Sequence, residues 1–155
     1  MHYRLTGLDR TEFVPLFGLD DAGLARRGAR RCIVDARPGF PDRIELRDLE
    51  PGEVALLVNY VHQPGDSPFR ASHAIYVGER SLERYDAVDR LPDMLRLRPI
   101  SLRAFDATHM LRDAVLAEGD DVESALRALL DDPRHDYVHL HFARAGCYAA
   151  RAVRA

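Results

Sequence analysis

The chain has 155 residues, 46% of them hydrophobic and 30% charged, with a formal net charge of −3; this is the length and balance of one folded domain. That charge excludes an overall polycationic surface for nucleic acid. All 22 basic side chains are arginines, which excludes a lysine Schiff base, pyridoxal phosphate carried on lysine, and a phosphate loop that needs its lysine.

In chain order, Tyr3 to Gly7 reads as a short strand. Asp9 to Glu12 has capping-box spacing ahead of Phe13, Val14, Leu16 and Phe17, and Pro15 limits that helix to about a turn. A second helix starts at Asp20, stapled by Leu19 and Leu24, and ends near Gly28. Arg31 to Asp35 predicts a strand that runs into the Pro38-Gly39-Phe40-Pro41 turn, and Pro51-Gly52 marks a further turn. Val54 to His62 is nearly continuous apolar sequence, the pattern of a central strand covered on both faces, with Ala74 to Val77 as its partner.

Arg80 to Arg98 is charged and proline-punctuated, with one helical turn around Met94. Ile100 to Phe105 and Met110 to Ala117 predict two more strands. Asp120 and Glu123 have capping-box spacing, and Val122, Leu126, Leu129 and Leu130 share a helical face that ends at Asp131-Asp132-Pro133. The chain closes in a hairpin, Tyr137 to Phe142 and Cys147 to Val153, turned at Ala143 to Gly146. No repeat or Gly/Ser linker divides the sequence, so residues 1–155 are expected to form a single α+β domain, a mostly antiparallel sheet with a few short helices.

The closing hairpin carries the densest chemistry. Alternation sends Val138, Leu140 and Phe142 to the core and puts Tyr137, His139 and His141 together on the opposite face. Two imidazoles side by side suit a metal site or an acid/base cluster, although a solvent-facing edge hairpin gives the same pattern. The turn decides whether Cys147 joins them. A three-residue loop puts Cys147 on the histidine face, whereas a four-residue loop brings Tyr148 there and sends Cys147 inward.

A second region spans Asn59, Tyr60, His62, Ser67, Arg70, Ser72 and His73. Asn59 interrupts an apolar strand, where a buried amide must find partners. Ser67 to Ser72 combines hydroxyls with the planar fork of Arg70, which suits a small anionic ligand or a structural pairing with Asp66 or Glu79. The basic cluster of Arg26, Arg27, Arg30 and Arg31 has flanking aspartates and no interleaved aromatics, as expected of a solvated helix end and not of a nucleic-acid contact. Cys32 and Cys147 lack metal-knuckle or redox spacing and read as reduced thiols. With no leader pattern and no apolar run of about 18 residues, the expected location is the cytoplasm, away from a membrane.

Several of these fragments together resemble the bacterial domain-of-unknown-function family 1203. They are Leu16-Phe17-Gly18-Leu19, Pro38-Gly39-Phe40-Pro41, Pro51-Gly52-Glu53, Leu57-x-Asn59-Tyr60-x-His62-Gln63, Ser67-Pro68-Phe69-Arg70-x-Ser72 and His139-x-His141-x5-Cys147-Tyr148-Ala149. The family commonly has Cys before Arg43, where this chain has Asp42. The resemblance implies a bacterial protein and carries no activity.

Three functional classes follow. One is a small-molecule enzyme that uses Cys147 with His139 or His141 and recognises an anion through Arg70. Another is a metal site on His139 and His141, completed by His62, Cys147 or Asp136. The last is a non-catalytic module that binds its ligand through Asn59, His62, Ser67, Arg70 and Ser72, or that dimerises along the edge of the terminal hairpin. No motif names a cofactor.

Overall fold

The alternation of apolar and polar residues resolves into two antiparallel sheets in the computed structural model, which describes residues 1–155. The larger sheet contains β1 (Tyr3–Thr6), β5 (Asp86–Val88), β6 (Ile100–Phe105), β7 (Leu111–Ala117), β8 (Tyr137–Phe142) and β9 (Tyr148–Arg154), in the spatial order β5-β1-β9-β8-β6-β7. The smaller contains β2 (Arg30–Ile33), β3 (Val54–Gln63) and β4 (Ala71–Gly78), with β3 in the middle. Three short helices complete the α+β fold: α1 (Asp21–Arg26), α2 (Asp93–Arg96) and α3 (Asp121–Asp131). None is long and apolar enough to cross a membrane.

One face of the larger sheet is sealed by α3. Val122, Leu126, Leu129 and Leu130 pack with Leu102, Val138 and Leu140 in the main core. Each fully buried leucine there contributes about 1.5–3 kcal/mol by leaving water. Over its other face lies the smaller sheet, whose Leu56, Val58, Ile75 and Val77 form a second core with Phe13, Leu24 and Tyr148. β8 is therefore buried at all six positions, on both faces.

Several local expectations shift. The terminal hairpin is not an edge, because β9 is paired to β1 on one side and β8 on the other. That removes the basis for dimerisation along it. The expected covering of β3 on both faces fails beyond Ala55: Asn59 and Val61 point outward and are exposed. The helix after Asp9 is two single 3₁₀ turns around Phe13, with the Asp9 carboxylate accepting the Thr11 N–H at 2.9 Å. Asp20 caps α1 through the Gly23 N–H at 2.7 Å, but Asp120 makes no such bond and pairs with Arg96. β5, inside the stretch read as irregular, pairs with β1.

Candidate metal centre

Alternation along three strands brings four histidines together. β8 points His139 and His141 away from the helix-covered core, toward the smaller sheet. From that sheet β4 supplies His73, on the same side as Ile75 and Val77. His62 comes from β3 just where its pairing with β4 shifts register between Tyr60 and Gln63; such an irregularity re-aims side chains.

Ligand nitrogens of His62, His73 and His141 all lie within 4.8 Å of one another. The His62 and His73 rings stack at 4.7 Å, and the His141 ring stands edge-on to both, at 4.9 and 5.5 Å. His139 adjoins this trio, 5.8 Å from His62 and 6.1 Å from His141 between ring centres. Tyr148 stacks on the free face of His62 at 5.3 Å.

These rings are short of hydrogen bonds. Both nitrogens of His62, Nδ1 of His73, Nδ1 of His139 and Nε2 of His141 are buried without a partner. Each unpaired buried polar atom costs about 1–3 kcal/mol. His141 shows how the lone pair is aimed: its Nδ1–H donates to the Gly146 carbonyl at 2.9 Å, an oxygen that can only accept. Nε2 is then the bare nitrogen. A second-sphere carbonyl that fixes the tautomer in this way is the usual support of a metal-ligating histidine.

Burial is also the main cause that holds the rings neutral. It pushes His62 down to about 4, His139 to about 2 and His141 to about 3, and it lowers His73. Neighbouring imidazoles or the Arg103 guanidinium add to each depression. Neutral imidazole is the form that binds metal. Imidazole lone pairs lie in the ring plane, so for His62, His73 and His141 to hold one ion the parallel His62 and His73 rings would turn out of their stack as the three nitrogens draw together.

Cys147 and Asp136 do not complete this set. The hairpin turn takes the four-residue form, with Gly146 at φ 79 and its N–H on the Phe142 carbonyl. Tyr148 is therefore the residue opposite His141. The Cys147 thiol accepts from the Arg43 guanidinium at 3.3 Å and lines a separate cleft of about 450 Å³ with Tyr76, Arg98 and Phe142. Asp136 is exposed. Asp42, in the position where the resembled family commonly has Cys, is fully buried and accepts from Ile44, Glu45 and Gly78 N–H groups and the Ser81 hydroxyl.

Of the second predicted region, His62 and His73 belong to the histidine cluster itself, and Arg70 lines a cleft beside it. Asn59 and Ser72 are exposed on the outer face of the smaller sheet. Ser67 is structural, since its hydroxyl donates to the His109 carbonyl and accepts from the Phe69 N–H. Arg70 donates to the Pro64 carbonyl and pairs with neither Asp66 nor Glu79, which is taken by Arg31.

Two clefts abut the cluster. One cleft, of about 330 Å³, has His62 and His139 in its lining beside Tyr137, Tyr148 and Arg151. There Gln63 donates to the Tyr137 hydroxyl at 2.7 Å, and that oxygen lies 2.8 Å from His109 Nδ1. The other, of about 310 Å³, has His62 and His141 in its lining beside Arg70, Arg103, Phe69 and Phe105. Arg103 was not singled out in the sequence. The signal was there in Ile100-Ser101-Leu102-Arg103-Ala104, which alternates as a strand with Ser101 and Arg103 on the face away from the core.

Two short sheets packed over a shared layer of buried histidines define an α+β protein with a candidate mononuclear metal centre. A family model described as "Protein of unknown function (DUF1203)" matches residues 39–154, and the chain belongs to that family. The matched span includes all four clustered histidines, Arg70 and Arg103. No curated protein and no solved structure matches the chain.

Proposed function

We propose that the protein binds one divalent transition-metal ion through His62, His73 and His141, with a coordination position left open to the clefts beside them. The observation that carries this reading is the convergence of buried, unpartnered ring nitrogens from three strands of two sheets. An all-imidazole set suits zinc, and also copper, nickel or iron. Three protein ligands and one open position are the arrangement of catalytic rather than structural zinc. A metal so held polarises a substrate oxygen or brings a bound water's pKa near 7, so the activity that fits is hydrolysis or hydration of a small molecule. His139, beside the trio with an unpartnered nitrogen of its own, can orient such a water through a hydrogen bond while staying neutral.

Metal analysis of untagged protein tests this directly. About one equivalent of zinc or another first-row metal is expected, falling to background in a His62→Ala/His141→Ala variant. Cobalt substitution should add the visible absorption of a nitrogen-ligated ion. Protein that purifies without metal, and neither binds nor is stabilised by added zinc, cobalt, nickel, copper or iron(II), overturns the reading.

A further inference from the structure

Arginine is the only fixed cationic side chain in this sequence, and where it is sheltered from water it usually faces a carboxylate. Arg31 takes Glu79, Arg47 takes Glu53, and Arg98 takes the buried Asp48. Arg10, Arg43 and Arg154 donate to backbone carbonyls instead, whereas Arg103 has neither kind of partner. It lies half-buried on β6, directly across from His139 on β8, and its Nε reaches only the Ser101 hydroxyl at 3.3 Å. Burial alone pushes it below its ordinary value, with no acidic neighbour to offset the effect.

The cleft that Arg103 lines has no Asp or Glu on its walls. Arg70 enters it from the loop before β4, with the Pro64 carbonyl as its one hydrogen-bond acceptor. Phe69 and Phe105, edge to face at 6.4 Å, supply an apolar flank together with Leu111. His62 and His141 also line the cleft. A half-buried guanidinium with no counter-charge, a second guanidinium without a carboxylate partner, and aromatic walls make a site suited to an anion. Guanidinium forks match the coplanar oxygens of carboxylates and phosphoryl groups, and low-dielectric walls strengthen the attraction in an otherwise acidic protein.

We infer that this cleft binds a small organic oxyanion, its carboxylate or phosphoryl head between Arg103 and Arg70 and its apolar body against Phe69 and Phe105. The substrate class of the proposed metal centre is then an anionic small molecule. This extension rests on the metal reading only for the ligand's being a substrate; anion capture by the two arginines requires no metal.

Calorimetric titration of benzoate, phenylphosphonate and neutral benzamide into EDTA-dialysed and zinc-loaded protein tests it, with metal content measured on the same samples. At least one anion should bind in both forms while benzamide does not, and the better anion identifies the head group. Arg103→Gln should weaken that anion by about tenfold or more, the usual effect of losing a charge-assisted pair. Arg103→Lys should recover only part of it, because the fork is lost. Circular dichroism checks folding; should Arg103→Gln not fold, Arg70→Gln, on an exposed side chain, carries the test with a loss in the same direction. Equal binding of benzamide and benzoate, no anion binding by folded protein, or anion binding that needs zinc and survives substitution of both arginines overturns the inference. Anion binding by protein that never takes up metal supports it and defeats the metal reading instead.

Discussion

The imidazoles of His62 and His141 meet edge to face at 4.9 Å and 82°, one from each sheet. Elsewhere the sheets are joined by aliphatic and aromatic packing, as where Tyr148 of the larger sheet enters the core of the smaller with Leu56 and Val58. At the histidines, polar rings with open nitrogens replace that packing. The unpartnered nitrogens there cost stability that the apolar packing does not, and an ion held from both sheets would recover it.

Zinc should accordingly act as a cross-link between the sheets. Saturation at about 100 times the dissociation constant adds about 2.7 kcal/mol to unfolding stability, a melting-temperature rise of several degrees for a chain of this length. His141→Ala and His62→Ala should each remove the rise, and thermal unfolding with and without excess zinc measures it. A rise of equal size in the His62→Ala/His141→Ala variant would place the metal elsewhere.

Metal-free protein should lose stability between neutral pH and pH 5. His62, His139 and His141 have folded values near 4, 2 and 3, and the unfolded chain protonates them near 6.5. Below that point the unfolded state binds more protons, so the stability present in full above about pH 6.5 is lost as pH falls toward the folded values. Each histidine lowers unfolding free energy by at most about 1.4 kcal/mol per pH unit in that window. Glu53, held down to about 2 by the Arg47 guanidinium, is ionised in both states above pH 5 and does not interfere much. Urea unfolding at pH 5, 6 and 7 in EDTA reads the slope, which His139→Phe should flatten. A flat profile in the unsubstituted protein contradicts the buried neutral rings.

Period-two alternation made much of this legible in advance. It put His139 and His141 on one face of β8 and left Val138 and Leu140 for the core, because side-chain direction in a strand depends only on parity. What covers that face depends on which strands pair far along the chain, and nothing local to residues 137–142 encodes the approach of β3 and β4. The same limit applies to His73, visible beside Arg70 and Ser72 but meaningless until Ile75 and Val77 fix its side of β4. Cys147 turned on a single residue of loop length, where Gly146 fits either turn. Asn59 misled for a simpler reason: one face of β3 is open past Ala55, so its amide meets water.

Cys147 belongs to a different piece of architecture, and substitutions there should separate the two. Arg43 is only 1% exposed; it donates to the Tyr148 and Pro41 carbonyls and to the Cys147 thiol, and it lies 5.0 Å over the Phe142 ring. Cys147→Ser keeps an acceptor there and should cost under about 1 kcal/mol, with zinc stoichiometry unchanged. Arg43→Met strands two carbonyls and should cost about 3 kcal/mol or more. Denaturant unfolding and metal analysis of the two variants check both statements. Loss of zinc from folded Cys147→Ser would return the thiol to the metal site.

Gly65 should be intolerant of even one methyl group. A Cβ built there falls 2.4 Å from the His109 ring, nearer than carbon atoms can approach. His109 has little room to retreat: its backbone has φ 63, Ser67 holds its carbonyl at 2.9 Å, and its Nδ1 lies 2.8 Å from the Tyr137 hydroxyl that Gln63 also reaches. Gly65→Ala should therefore cost about 1–3 kcal/mol, the usual range for overpacking. His109→Ala removes the ring that the methyl strikes, so the double variant should be more stable than the two single losses predict. Zinc binding should persist in Gly65→Ala, because the clash falls on His109 and not on His62, His73 or His141. Additive losses in the double variant, measured by urea unfolding at pH 7, would show that the contact between residue 65 and the His109 ring is not what limits that position.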